Sequence, residues 1–184
     1  KKNGIKLPDW YKEPTKKEAK AKHADKLRKN QPKEEPVEEP VLGGEKGVIN
    51  VFFSSCNLKC IYCQNYQISQ NDGAGFTVSI EELANLMLEL QNFGAASINL
   101  VTGTHFIPSI VKSIEIAKTS GLKLPIVWNS SGYETVEALK IIDPYIDLYL
   151  FDAKTLSCST ASKFCGLEKY ADFIIPAMKF NPSF

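Results

Sequence analysis

The chain has 184 residues, 43% of them apolar, and a formal net charge of +1, which suits one folded domain with a tail. No run is apolar for long enough to cross a bilayer. KKNGIKLPDWYKEP at the N-terminus has charge but no apolar core of the kind a secretory signal needs. Five cysteines, an odd number with three clustered, argue against a disulfide framework and for a reducing, cytoplasmic setting.

Near-neutrality hides a split. Lys1–Lys33 holds 12 Lys and Arg against 4 Asp and Glu, a net +8, which leaves −7 for the rest of a chain whose total is +1. Residues 1–45 read as a basic arm and a Pro/Glu-rich linker. KKEAKAKHADKLRKN is rich in helix formers but has no apolar stripe to bury, and QPKEEPVEEPVLGG is extended and polar. The arm lacks interleaved aromatics and any recognition motif, so a solvated tail is expected and nucleic acid is not expected as a partner.

Residues 46–184 read as the folded part. GVINVFF (Gly47–Phe53) is a short, β-branched, buried strand. SIEELANLMLELQNFG (Ser79–Gly94) is a helix: Ser79 and Glu82 form a capping box, and Leu83, Leu86, Met87 and Leu90 recur at helical spacing before Gly94. Ala96–Gly103 is a second strand. Pro108–Gly121 is a second helix, with Pro near its start and Gly at its end. Leu124–Gly132, Glu134–Pro144 and Ile146–Lys154 continue as strand, helix and strand, with a fourth helix within Ser157–Phe173. FIIPAMKFNPSF (Phe173–Phe184) reads as the start of a strand with no further helix.

The strands read as apolar throughout, as expected of parallel strands covered on both faces. The alternation predicts an α/β sheet, doubly wound or barrel-like. SSCNLKC, TGTH, NSSG and DAK all follow strands, so four strands deliver polar residues to one edge, where α/β folds bind ligands.

The densest signal is SSCNLKCIYCQNYQIS, Ser54–Ser69, which holds Cys56, Cys60 and Cys63. Three thiols in one loop suit a soft metal centre. Zinc sites close with four ligands, commonly from two cysteine pairs. A second pair is absent here, although His105 at the second strand end is a possible fourth ligand. A [4Fe-4S] cluster also has four irons to ligate, and three cysteines leave one of them open.

Cys56-x-x-x-Cys60-x-x-Cys63, with Tyr62 before the last cysteine, resembles the signature of radical S-adenosylmethionine (SAM) enzymes. The flanks INVFFSSCNLKCIYCQNYQIS, VTGTHF, LPIVWNSSGYET and DLYLFDAK resemble the subgroup of pyruvate formate-lyase activating enzymes. The resemblance runs from about Gly47 to Tyr170. It implies a (β/α) barrel of the radical SAM type, with a [4Fe-4S] cluster on Cys56, Cys60 and Cys63 and S-adenosylmethionine on the open iron. It further implies reductive cleavage of S-adenosylmethionine to a 5′-deoxyadenosyl radical and hydrogen-atom abstraction, in the activating branch from a glycine of a partner glycyl-radical enzyme or other protein substrate. A low-potential electron donor follows as a second partner. Tyr62, Thr102, Thr104, Asn129, Ser130, Ser131, Asp152 and Lys154 match positions that contact the cofactor. No side chain is assigned as catalytic.

Two departures stand out. Thr102-Gly103-Thr104-His105 replaces a glycine-rich segment, although both threonines can accept from an ammonium. Ser55 stands where relatives often have Gly, and its small size makes it acceptable there. The family's barrels also carry more strands than the four seen here, so the barrel is expected to be partial and truncated at its C-terminus. The rival readings are an inactive fragment and a zinc-binding structural module using the same cysteines with His105. Cys158 and Cys165 are expected to be structural thiols, Trp128 and Tyr133 to pack, and Glu81, Glu82, Glu134 and Glu137 to serve helix starts.

Overall fold

The structure, a computed structural model, describes residues 47–70 and 75–180. The basic arm lies outside the described residues, as does the last stretch of FIIPAMKFNPSF, residues 181–184. Four strands, β1 (Val48–Phe52), β2 (Ser97–Val101), β3 (Ile126–Ser130) and β4 (Leu148–Phe151), form one sheet. Their order is β1-β2-β3-β4 and every pair is parallel. Parallel crossovers are right-handed almost without exception. A sheet that always advances in one direction therefore keeps its helices on one face. A doubly wound sheet reverses its order at a switch point, and none occurs here. Of the two architectures left open by the sequence, the barrel-like arc is the observed one.

The helices form where their caps sit. After a short turn, α1 (Tyr66–Ser69), α2 spans Ile80–Phe93. Its Ser79–Glu82 capping box is complete, with Glu82 N–H donating to Ser79 Oγ at 3.1 Å and Ser79 N–H to Glu82 Oε2 at 2.8 Å. Gly94 ends it in the left-handed conformation, φ 96°. Helix α3 (Ile107–Thr119) follows a 3₁₀ turn, and α4 (Val136–Ile142) is capped by Thr135, which accepts from Ala138 N–H at 3.2 Å.

One face of the sheet and these helices make the main core. Ile98, Leu100, Ile126 and Trp128 meet Met87 and Leu90 of α2 and Ile110 and Ile114 of α3, with Ile49, Val51, Tyr149 and Phe151 at the margins. Each such aliphatic side chain contributes about 1.5–3 kcal/mol by leaving water. Strand side chains alternate between faces, so Asn50, Ser97, Asn99 and Asn129 belong to the other face. The strands are thus not apolar throughout, as their sequence suggested. Asn50 and Asn99 are register partners, and Asn99 Nδ2 donates to Asn50 Oδ1 at 2.8 Å. Asn99 Oδ1 is buried and has no hydrogen-bond partner among the described residues.

The helix expected within Ser157–Phe173 is α5 (Cys158–Cys165), and a further helix, α6 (Ala171–Lys179), follows it. The expected strand start at Phe173 is therefore corrected: Phe173–Lys179 is helical, with Pro176 inside. Phe-Ile-Ile has strand propensity, but Tyr170, Ile174 and Ala177 are all buried at the i, i+4, i+7 spacing of one helix face. Burial outweighs local preference here. With Leu58, Cys60, Ala161 and Cys165, Tyr170 and Ile174 make a second, smaller core under the cysteine loop.

Candidate functional site

The strand ends are tied together beyond the regular sheet. Phe53 N–H donates to Val101 O at 3.1 Å, Thr102 N–H to Asn129 O at 2.9 Å and Asp152 N–H to Ser130 O at 2.8 Å. Parallel pairing carried this far starts all four loops from one edge.

The loop after β1 is anchored on three sides. Ser55 turns it in the left-handed region, φ 71°, and donates its N–H to Ile68 O at 3.0 Å. Its conformation, rather than its size, explains why glycine suits this position. His105 Nε2 donates to Ser54 O at 2.8 Å, joining the loop to the β2 end. Asn57 Nδ2 donates to Tyr133 O at 2.9 Å, joining it to the β3 loop. Lys59 N–H and Ile61 N–H donate to Cys165 O at 3.0 Å and Phe164 O at 2.9 Å, fixing it to the end of α5. Gly166 allows that approach, since a Cβ there would lie 3.1 Å from Lys59 Cβ.

The three cysteines sit differently. Cys56 is half-buried and its sulfur receives Leu58 N–H at 3.4 Å. Cys63 is half-buried with Sγ 3.1 Å from Ser69 Oγ. Cys60 is buried beside Cys165, and burial together with the neighbouring Cys165 thiol pushes its thiol up to about 11. Lys154 acts in the opposite direction, favouring the thiolate. Tyr62 is 51% exposed, with its hydroxyl 3.4 Å from Cys165 Sγ. That hydrogen bond holds the phenol well above its usual range.

Glu134 organises the next two loops. It is buried, and its carboxylate accepts from Thr104 Oγ1 at 2.7 Å, Trp128 Nε1 at 3.2 Å and Ser130 Oγ at 2.9 Å. Burial raises its carboxyl, and the three donors partly offset that. Thr102 is strained, with φ 61° on a β-branched residue. Gly103 is forced by space: a Cβ would meet Ile110 Cδ1 at 2.7 Å and the Trp128 ring at 3.0 Å. Tyr170 joins the loops after β3 and β4. Its hydroxyl donates to Ser131 O and receives Lys154 N–H at 3.1 Å. Lys154 Nζ pairs with the exposed carboxylate of Asp152.

The structure thus brings Thr104 and Ser130 together through Glu134, Ser131 and Lys154 through Tyr170, and Thr102 and Asn129 through their backbones. Ser130 is turned inward, its hydroxyl also receiving Gly132 N–H at 3.1 Å. Glu134, Tyr170 and Cys165 are the organising residues missed in the sequence. Glu134 carried only the signal of an acid at a helix start, and the other two carried none.

The sequence model of the radical SAM superfamily matches residues 50–178. This chain belongs to the radical SAM superfamily. A similar protein is uncharacterized protein MJ0674 of Methanocaldococcus jannaschii, 29% identical over 147 residues, which cover 72% of this chain and 41% of that protein. The chain therefore spans about two fifths of its relative's length.

Radical SAM domains generally bind a [4Fe-4S] cluster and S-adenosylmethionine. The donor set fits such a cluster: three soft thiols within one short loop, with no harder ligand among them. Among the described residues, no three His, Cys, Asp or Glu side chains converge as a metal site. His105 spends one ring nitrogen on Ser54.

Proposed function

We propose that this chain is a radical SAM enzyme whose Cys56, Cys60 and Cys63 hold a [4Fe-4S] cluster, and that its reaction is hydrogen-atom abstraction of the glycyl-radical-activating kind. The observation that carries the reading is the three-cysteine loop at the C-terminal end of β1, on the edge where the loops of three further parallel strands begin. When bound, the cluster and S-adenosylmethionine supply one-electron cleavage of the sulfonium C–S bond and a carbon radical that takes a hydrogen atom.

The chain's own part is to bind and position. Thr104 gives its hydroxyl proton to Glu134 and keeps lone pairs for the cofactor's ammonium. Thr102 offers the same atoms from a strained, fixed backbone. Asn129, at the end of β3, adds an amide on the face away from the helices. Tyr62 offers a half-exposed ring to adenine. Ser130 and Ser131 act through the loop that Glu134 and Tyr170 hold. Asp152 keeps the Lys154 ammonium at the rim, where it favours the Cys60 thiolate. A glycyl-radical enzyme or other protein substrate, a low-potential electron donor and a cytoplasmic setting complete the reading.

Anaerobic iron–sulfide reconstitution followed by EPR of the reduced protein tests it. A [4Fe-4S]⁺ signal that changes on adding S-adenosylmethionine is expected. Cys56→Ala, Cys60→Ala and Cys63→Ala should each abolish it, whereas Cys158→Ala should not. Zinc bound without iron would replace this reading with the structural module.

A further inference from the structure

Cys165 lies outside the signature, and the fold carries it to the signature's middle cysteine. It is 1% exposed and Cys60 is 8% exposed, both in the small core with Leu58, Ala161, Tyr170 and Ile174. The two cysteines pack in that one buried cluster, and the Tyr62 hydroxyl lies 3.4 Å from Cys165 Sγ. The other two loop cysteines are engaged elsewhere, Cys56 with Leu58 N–H and Cys63 with Ser69 Oγ. Cys158, at the far end of α5, is exposed.

Backbone contacts hold the pair in place. The bonds from Lys59 N–H to Cys165 O and from Ile61 N–H to Phe164 O lie on either side of Cys60. A disulfide requires the two sulfurs to close to about 2.05 Å, and these bonds keep the chains adjacent while they do so. Ile61, 72% exposed, and Tyr62, 51% exposed, follow Cys60 directly in the chain. No helix or strand spans residues 53–65, so a local opening of this loop is enough to expose the pair to a small oxidant.

We propose that Cys60 and Cys165 form a reversible disulfide that locks the cysteine loop against α5 and keeps the cluster off. The exclusion half rests on the function proposed above, because Cys60 must be a cluster ligand for its loss to matter. The oxidant class is a peroxide. A thiolate of the pair attacks the O–O bond, giving a sulfenic acid and hydroxide. The second thiol displaces the sulfenic oxygen, forming the S–S bond. Two thiols and one hydrogen peroxide give one disulfide and two waters, a two-electron oxidation. A dithiol reverses it by exchange, leaving two thiols and its own disulfide.

The test uses the full chain, metal-free, treated with equimolar hydrogen peroxide. Remaining thiols are alkylated, and peptides are mapped by mass spectrometry. The expected result is a bridge between the peptides holding Cys60 and Cys165. Anaerobic iron–sulfide loading without added dithiol should then fall at least tenfold against the reduced protein, and dithiol should restore it. Cys165→Ser should lack the bridge and load as the reduced protein does after the same treatment. Cys158→Ser should behave as the unsubstituted protein, and circular dichroism checks that both variants fold.

No bridge, a bridge to another cysteine, or full loading of the bridged protein would each overturn the proposal. A reduced protein that takes up no iron overturns the exclusion together with the function proposed above. The mapped bridge does not depend on iron, so the two failures are read apart.

Discussion

Ser55 shows how a single residue can be misjudged by size. Its position reads as tolerant of any small side chain, but its backbone sits at φ 71°. L-residues pay roughly 1–2 kcal/mol there and glycine pays little. Ser55→Gly should therefore raise stability, by a few tenths to about 1 kcal/mol once the extra freedom of the unfolded chain is subtracted. Urea unfolding measures this, and a loss of stability would show that the Ser55 side chain outweighs the strain. Glu134 makes the opposite case. By position it is one more acid at a helix start, and in the fold it receives three side-chain donors. Glu134→Ala strands those donors and should cost about 3 kcal/mol or more. Glu134→Gln keeps the shape and one acceptor and should cost less.

The sign of the pH dependence at Glu134 follows from burial. Its carboxyl is raised in the folded protein above the ordinary value of 4.5. The folded state therefore holds the proton more tightly than the unfolded state, and this contribution to stability is full below about pH 4.5. It is lost as pH rises through the raised value. Unfolding measured across that window should show the natural protein losing stability relative to Glu134→Gln as pH rises, and a flat difference would contradict it.

Among the elements, those with strong local signals form where the sequence put them. The Ser79 capping box, Gly94 and the apolar positions between them specify α2 without help from the rest of the chain. The last element is different. Its β-branched and aromatic start suggests a strand, and Pro176 discourages a helix. Only the buried face formed by Tyr170, Ile174 and Ala177 makes it α6. That helix's leading tyrosine also fastens the site, because its hydroxyl bonds Ser131 O and Lys154 N–H. Tyr170→Phe should cost about 1–3 kcal/mol and speed hydrogen exchange at the Lys154 amide, with little change in α2. Unchanged exchange at Lys154 would mean that the β4 loop is held by other contacts.

For the whole molecule, the strand–helix alternation and the polar residues after each strand made a parallel sheet with its polar loops on one edge legible. The signature made the superfamily legible as well, and it is now supported by the match over residues 50–178. These features are local in sequence, so spacing and residue type were enough to carry them. The order β1-β2-β3-β4 was not legible, because neighbouring strands are chosen by long-range packing and crossover handedness. The same limit hid the asparagines on the face opposite the helices, the Glu134 and Tyr170 ties between loops, and the contact of Cys165 with Cys60. Each joins residues that chain connectivity leaves apart, from four residues between Ser130 and Glu134 to more than a hundred between Cys60 and Cys165. The sequence by itself determined that three thiols share the first loop and which edge of the sheet that loop leaves. The tertiary structure alone decided which side chains hold that loop in place, since burial and hydrogen bonding between distant segments exist only once the chain is folded.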